Sequence, residues 1–291
     1  MKKLTIILLG FIAVITACNK KEVTQLSFDV SSDKTKIKVG DTLTYSFSGN
    51  ANFVTYYSGE AGSNYANKER ITADGTPTLE FTSYKQYGTQ ENTLNLLAST
   101  NFGGVYTDSA IRVATWTDIT NSANLSTGTD NTPSGPIDLS AFKGDKPVFI
   151  AFKYNGTTGS TQRTWTIKNL SIDNYVTDGS KINIANIANA GWRSVKIAPS
   201  PKSWSISSTQ LQFAGGTATT DSNVGWVITQ PLFLNKVAPD IGLSLKSFSN
   251  SLESYQKVFT QAGVYKTTFV ATNSTIYGSE TVVKQIEITV E

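Results

Sequence analysis

Between Ile111 and Tyr175, four stretches rich in apolar residues sit at short, regular intervals: ATWTDIT (Ala114 to Thr120), SGPIDLS (Ser134 to Ser140), VFIAFKY (Val148 to Tyr154) and RTWTIKNLSID (Arg163 to Asp173). Each is bounded by Gly, Pro, Asn, Ser or Thr, and none keeps a 3.6-residue period. This pattern predicts antiparallel strands joined by turns. VFIAFKY is almost continuously apolar, as suits a central strand covered on both faces. In WTIKNLSI, Trp165, Ile167, Leu170 and Ile172 alternate with a one-residue slip at Lys168 and Asn169, which predicts a β-bulge.

The same alternation extends in both directions. Ile37 and Val39 alternate, as do Leu43, Tyr45 and Phe47, with a turn at Gly40 and Asp41 between them. PTLEFTSY (Pro77 to Tyr84) and NTLNLLAST (Asn92 to Thr100) read as strands, and Asn101 to Gly104 as a loop. From Asn174 to Gln210 apolar residues thin out and two prolines enter, so the text predicts long loops with a short strand or helical turn. LQFAG (Leu211 to Gly215) and GWVITQPLFL (Gly225 to Leu234) restore strand character. The chain closes on YQKVFTQAGVYKTTFVATN (Tyr255 to Asn273) and ETVVKQIEITVE (Glu280 to Glu291).

The first residues follow a different pattern. Lys2 and Lys3 precede an apolar run from Leu4 to Val14, too short to prefer spanning a bilayer and ending in small residues, which reads as a signal peptide over residues 1–17. Ile15-Thr16-Ala17-Cys18 resembles the lipobox of bacterial lipoproteins. That resemblance implies cleavage before Cys18 and acylation of its thiol and amine, with residues 18–24 as a polar tether. Cys18 is the single cysteine of the chain. Two or more acyl chains suffice for stable membrane attachment.

Further resemblances organise the remainder. VGDTLTYSFSG and AGVYKTTFVATN are similar to the opening and closing strands of PKD domains, immunoglobulin-like sandwiches of bacterial surface proteins. The distance between them implies one sandwich, residues 25–70 and 240–291, split by an inserted domain at residues 76–235. The strands of the insert resemble the jelly rolls of secreted adhesins and carbohydrate-binding modules. Tyr57-Ser58-Gly59-Glu60, with Tyr65 and Arg70, resembles a Bacteroidota lipoprotein family of unknown function, in which such a turn precedes an inserted jelly roll. Glu60 and Arg70 read as an ion pair clamping the seam of the two domains, or as polar contacts to a ligand or calcium ion. The expected fold class is all-β: an immunoglobulin/PKD-like β-sandwich plus an inserted jelly-roll β-sandwich.

Composition narrows the chemistry. The formal charge is +3, but removing Lys2 and Lys3 from the 25 basic residues leaves 23 against 22 acidic ones. No Lys/Arg block occurs, so a nucleic-acid partner is not expected. The chain contains no His. Ser-His-Asp and Cys-His machinery is thereby excluded, as are His-ligated metal sites. Asp118, Asp130, Asp138 and Asp145 are scattered over turns, where Asp is a common turn-former. No cofactor is implied; a structural calcium is compatible with oxygen-rich loops such as Asp221-Ser222-Asn223, although no EF-hand spacing is present.

Aromatic residues carry the candidate binding chemistry. Trp116, Trp165 and Trp226 fall in or beside alternating strands and read as core. Trp192 and Trp204 lie in the loosest segment, beside Arg193 and Lys202, and read either as sugar-stacking platforms or as plugs at the end of the barrel or the seam. Tyr154 and Arg163 flank the turn Asn155 to Ser160, at a rim or a solvated hairpin tip. The candidate ligand residues are thus Trp192, Trp204, Arg193, Tyr154 and Arg163, with Cys18 as the lipidation site. The reading that follows is a non-enzymatic, outer-membrane, lipid-anchored protein at the cell surface, binding a glycan or similar extracellular ligand. Outer-membrane uptake proteins of a starch-utilisation-like system are possible partners. The alternatives are an adhesin-type protein binder and a His-free glycoside hydrolase or lyase.

Overall fold

The computed structural model describes residues 25–276 and 278–291. The signal segment, Cys18 and the tether to residue 24 lie outside the described residues. The described chain is almost all β. Its first strands are β1 (Phe28–Ser32), β2 (Lys36–Ile37), β3 (Thr42–Gly49) and β4 (Phe53–Tyr57). Next come β5 (Gly75–Gln86), β6 (Leu94–Ser99), the helix α1 (Asp108–Val113), β7 (Thr117–Asp118), β8 (Thr132–Pro133), β9 (Ile137–Asp138) and β10 (Phe149–Gly156). They are followed by β11 (Thr164–Val176), β12 (Lys181–Asn186), β13 (Arg193–Ile197), β14 (Ser205–Ile206), β15 (Gln210–Phe213) and β16 (Asn223–Ile228). The last four are β17 (Leu243–Lys246), β18 (Ser254–Val258), β19 (Gly263–Thr275) and β20 (Gly278–Val290). Among the described residues no helix is long and apolar enough to cross a membrane.

The described chain divides into two compact units, one formed by residues 25–70 with Pro239–Glu291, the other by Ile71–Ala238. In the first unit a three-stranded sheet, β1-β3-β18, and a five-stranded sheet, β17-β4-β19-β20-β2, enclose one core. Alternation along β3 sends Leu43 and Tyr45 inward, where Tyr45 meets Phe269 of β19 edge-on with 4.9 Å between ring centroids. β19 and β20 form a long antiparallel hairpin, paired from Gly263 with Val290 to Thr275 with Gly278. β2 runs parallel to β20 at the sheet edge. The turn expected at Gly40 and Asp41 is present, and Gly40 adopts the positive φ (87°) that a residue without a Cβ tolerates.

This unit is built from two distant stretches of chain, and Asp240 fastens them. Its carboxylate accepts a hydrogen bond from the Asn64 N–H at 2.8 Å and pairs with the Arg70 guanidinium at 2.9 Å, while its own N–H donates to Asn67 O. Glu60 pairs instead with Lys257 at 2.6 Å. Glu60 and Arg70 are therefore members of two separate ion pairs within the first unit, and not partners of each other as a single clamp requires.

The second unit has a five-stranded sheet, β13-β16-β10-β6-β7, facing a seven-stranded one with the path β14-β15-β11-β5-β8, to which β12 and β9 add. The main core lies between them. Ile150, Phe152 and Tyr154 come from one side, Leu79, Phe81, Trp165, Ile167 and Ile172 from the other. The slip expected at Lys168 and Asn169 is found. The pairing of β11 with β5 shifts register between Lys168 and Ser171, and Asn169 takes a positive φ of 51°. Three expectations need correction. Ser134 to Ser140 is not a full strand; only Ile137–Asp138 pairs, with β5, before the chain turns at Ser140. Ala114 to Thr120 is not a full strand; only Thr117–Asp118 pairs, because α1 and the residues flanking it fold over the sheet. The stretch from Asn174 to Gln210 holds three whole strands, β12, β13 and β14. β13 and β14 end their sheets and β12 lies off the main path, so each buries few side chains and needs few apolar residues.

Replacing Asp240 by Asn keeps the size of the side chain and removes its charge beside the largely buried Arg70. Removing one partner of a buried pair costs about 3–5 kcal/mol. The expected result is a destabilisation of that order, read as a lowered denaturant midpoint for the first unit, with Glu60→Gln producing a much smaller change at its more exposed pair.

Candidate functional site

Four of the five expected ligand residues are committed to the fold of the second unit. Trp204 is 4% exposed; its indole N–H donates to Gly225 O at 3.0 Å and its ring meets Phe213 edge-on at 5.6 Å. Tyr154 is fully buried, stacked on Phe213 at 3.8 Å, and its hydroxyl donates to Arg163 O at 2.7 Å. That burial pushes the phenol above its ordinary pKa. Arg163 clamps the turn at residues 87–91, donating to the carbonyls of Tyr87 and Gln90 and pairing with Glu91. These three are therefore neither rim nor platform residues. The loops that looked free in sequence fold indoles back over the open edges of the two sheets.

Trp192 is 7% exposed and packs toward Phe152, with ring centroids 6.0 Å apart. Its indole N–H is buried and has no hydrogen-bond partner. The outer edge of its ring, with Arg193, Ile187, Ile206 and Ser207, borders a groove of about 390 Å³ beside the edge strands β13 and β14. Arg193 is exposed there. The Ser207 hydroxyl is already engaged with Gln210.

A second groove, of about 360 Å³, offers more chemistry. It follows from alternation along the five-stranded sheet. Phe149 and Ala151 of β10 face outward, together with Trp226 and Ile228 of β16, Val195 and Ile197 of β13, and Leu97 of β6. This outer layer is apolar and is covered by the segment around α1. Phe102 packs edge-on to Phe149 at 5.0 Å, and Trp116 lies 5.0 Å from Trp226. The Trp116 indole N–H donates to Ile111 O, and the Tyr106 hydroxyl donates to Thr229 O. Thr107 caps α1 by accepting from the Ala110 N–H, and Arg112 pairs with Asp108 one turn away.

Farther along β10 the outward side chains become polar: Lys153, then Asn155. Lys153 stands across from Trp226 on one side and Asn95 on the other, and its ammonium lies 5.6 Å from the Trp226 ring centroid. Asn155 pairs across the sheet with Val224. The floor of the groove is thus Trp226, Val224 and Ile197; its rim is Lys153, Asn155 and the Arg112–Asp108 pair. Behind the rim runs a relay in which the Asn155 amide donates to Asn95 Oδ1, and the Asn95 amide donates to Asp118, each at 3.1 Å. Burial alone would raise the Asp118 carboxyl. The hydrogen bonds from Thr120 and Asn95 and the Lys153 charge outweigh it and hold the group below its ordinary value.

Among the described residues Lys153 has no ion-pair partner at contact distance, and Asn155 Oδ1 accepts no hydrogen bond. The groove therefore presents a free cation and a free acceptor above an apolar floor. By contrast a void of about 60 Å³ in the first unit, beside Phe28, Phe47 and Val54, is too small for an organic ligand. The scattered carboxylates are used locally: Asp118 accepts from the Thr120 N–H and Asp138 from the Ser140 N–H, both as turn-formers. In the loop Asp221-Ser222-Asn223, the Asn223 side chain is buried among Ser200, Lys202 and Gln162. Among the described residues no group of three or more His, Cys, Asp or Glu is placed to hold a metal ion.

Sequence reasoning misses Lys153 and Asn155, because the near-continuous apolar run VFIAFKY predicts a strand covered on both faces. The usable signal was the change from Phe149 and Ala151 to Lys153 and Asn155 at every second position of β10.

A family model described as a domain of unknown function, DUF5017, matches residues 17–192. No curated protein and no solved structure matches the chain. The matched stretch includes Lys153 and Asn155 and ends at Trp192.

Replacing Trp204 by Ala removes a buried aromatic and a hydrogen bond. Large-to-small changes of this kind cost about 3–5 kcal/mol. Chemical denaturation of Trp204→Ala is expected to show a loss of that order, against less than about 1 kcal/mol for Arg193→Ala at its exposed edge.

Proposed function

We infer the role of this chain from its own residues, because it belongs to the DUF5017 family, a domain of unknown function. The protein is a lipoprotein held to the outer membrane through acylated Cys18 and exposed at the cell surface. It binds a glycan in the groove over Trp226 and serves as an accessory to a starch-utilisation-like uptake system of Bacteroidota. In this reading the first unit is a PKD-like sandwich and the second an inserted jelly roll of the carbohydrate-binding type.

One observation carries the binding assignment: an apolar floor that includes Trp226, rimmed by an uncommitted Lys153 ammonium and an uncommitted Asn155 carbonyl oxygen. A sugar ring has the matching character. Its apolar face suits the floor, and a vicinal pair of hydroxyls can accept from Lys153 and donate to Asn155 Oδ1. The groove lies within the size range of small-ligand sites. A protein-binding reading draws on exposed Val105, before α1, and Val113, at its end, which leave an apolar surface next to the groove.

The soluble form starting after Cys18 is expected to retain glycans on an array. Lys153→Ala and Asn155→Ala should each weaken that binding roughly three- to tenfold, the worth of one hydrogen bond, with unchanged melting for Lys153→Ala and a small loss for Asn155→Ala, which gives up its bond to Asn95. Absence of any glycan signal sinks the reading and favours a protein partner. Binding that survives both changes but is lost in Arg193→Ala moves the site to the groove beside Trp192.

The anchor is tested separately. Cys18→Ala is expected to move the protein out of the membrane fraction or to leave its precursor uncleaved. Normal lipid labelling of that variant would refute the assignment.

A further inference from the structure

The first unit has one end at which its chain enters. The Leu26 N–H donates to the Glu280 carboxylate at 2.7 Å, and Glu280 lies two residues beyond Gly278, at the tip of the β19–β20 hairpin. Asn52 is tied to the same place through its N–H, which donates to Asn273 Oδ1 at 2.7 Å. At this tip Ile276 is 91% exposed, the most exposed of the large apolar side chains described. An aliphatic side chain held almost wholly in water on a paired hairpin has no partner within the unit.

The chain preceding Leu26 identifies one. Seven residues separate Leu26 from Cys18, so the eight steps between them span at most about 28 Å when fully extended. The thirteen residues of β20 extend over about 43 Å at strand rise. The far end of the unit carries Val39, whose N–H donates to Glu291 O. A tether shorter than the strand cannot turn that end toward the point where Cys18 is anchored, whereas the hairpin tip lies within its reach. The tether also carries two lysines, Lys20 and Lys21, a charge that suits anionic lipid headgroups.

We propose that the β19–β20 tip is a membrane-contacting element, with Ile276 entering the headgroup region of the bilayer that holds the acyl chains of Cys18. The inference rests on the lipoprotein reading of Cys18. It adds that the first unit stands end-on, tip toward lipid. Acylation supplies the affinity and Ile276 the orientation, since one aliphatic side chain buries too little area to hold a protein on a membrane by itself.

The test uses the full-length lipidated protein, in which the acylated Cys18 leaves a newly introduced thiol as the sole labelling site. Ile276→Cys and, at the opposite end, Val39→Cys are each labelled with an environment-sensitive fluorophore and reconstituted into vesicles containing anionic lipid. Ser274→Cys, also exposed at the tip, serves as a second reporter should the label at 276 disturb the hairpin. Mass spectrometry establishes the acylation state of every sample. The expected result is a blue shift at 276, with quenching by lipid-borne quenchers, and no shift at 39. Acylated protein with water-like emission at both 276 and 274 overturns the proposal and leaves the anchor intact. Equal blue shifts at 276 and 39 mean that the unit lies flat, and this also overturns it. Absence of acyl chains removes the anchor reading, and the proposal falls with it.

Discussion

β10 carries apolar side chains on both faces, and much of the second unit follows from that. The inner set, Ile150, Phe152 and Tyr154, requires an opposing sheet and obtains one. The outer set, Phe149 and Ala151, requires a cover that the two-layer architecture does not provide. The stretch from Phe102 to Trp116 provides it, using three aromatic rings and a six-residue helix too short to stand without the sheet beneath it. The cover stops before Lys153, and there the strand's outer positions turn polar. The groove is the boundary between the part of the sheet that must be hidden and the part that can meet water.

The sequence discloses elements whose neighbours are uniform along their length and conceals those whose neighbours change. The all-β class, the bulge at Asn169 and the turn at Gly40 were legible because alternation and glycine reflect local backbone geometry. Edge strands β13 and β14 were not, since a strand paired on one side needs few buried residues and resembles a loop in composition. The indoles of Trp192 and Trp204, open in sequence between platform and plug, pack into the core of the second unit. A tryptophan among Gly, Pro and Ser looks exposed until the strands beside it are known to border an open edge that it closes. Lys153 and Asn155 were visible as letters but not as a site, because only pairing with β16 and β6 sets them beside Trp226 and Asn95.

Charge in the molecule is used mainly for fastening. Arg163 gathers the carbonyls of one turn, and Asp240 joins two stretches separated by about 170 residues of chain. Lys153 is not used in this way: its ammonium rests over the Trp226 ring with no carboxylate in contact, at the rim of the groove.

The first unit is assembled from strands at opposite ends of the sequence, and this imposes an order on folding. β4 finds its sheet partners only in β17 and β19, and β3 is bordered by β1 and β18. During synthesis the second unit is complete once residue 238 has emerged, while β4 still lacks both neighbours. The loop to be closed is long, and closing it carries a chain-entropy cost that grows only slowly with length, so the insert is tolerated thermodynamically and felt as delay. β20, made after the second unit, completes the sheet to which β4 belongs.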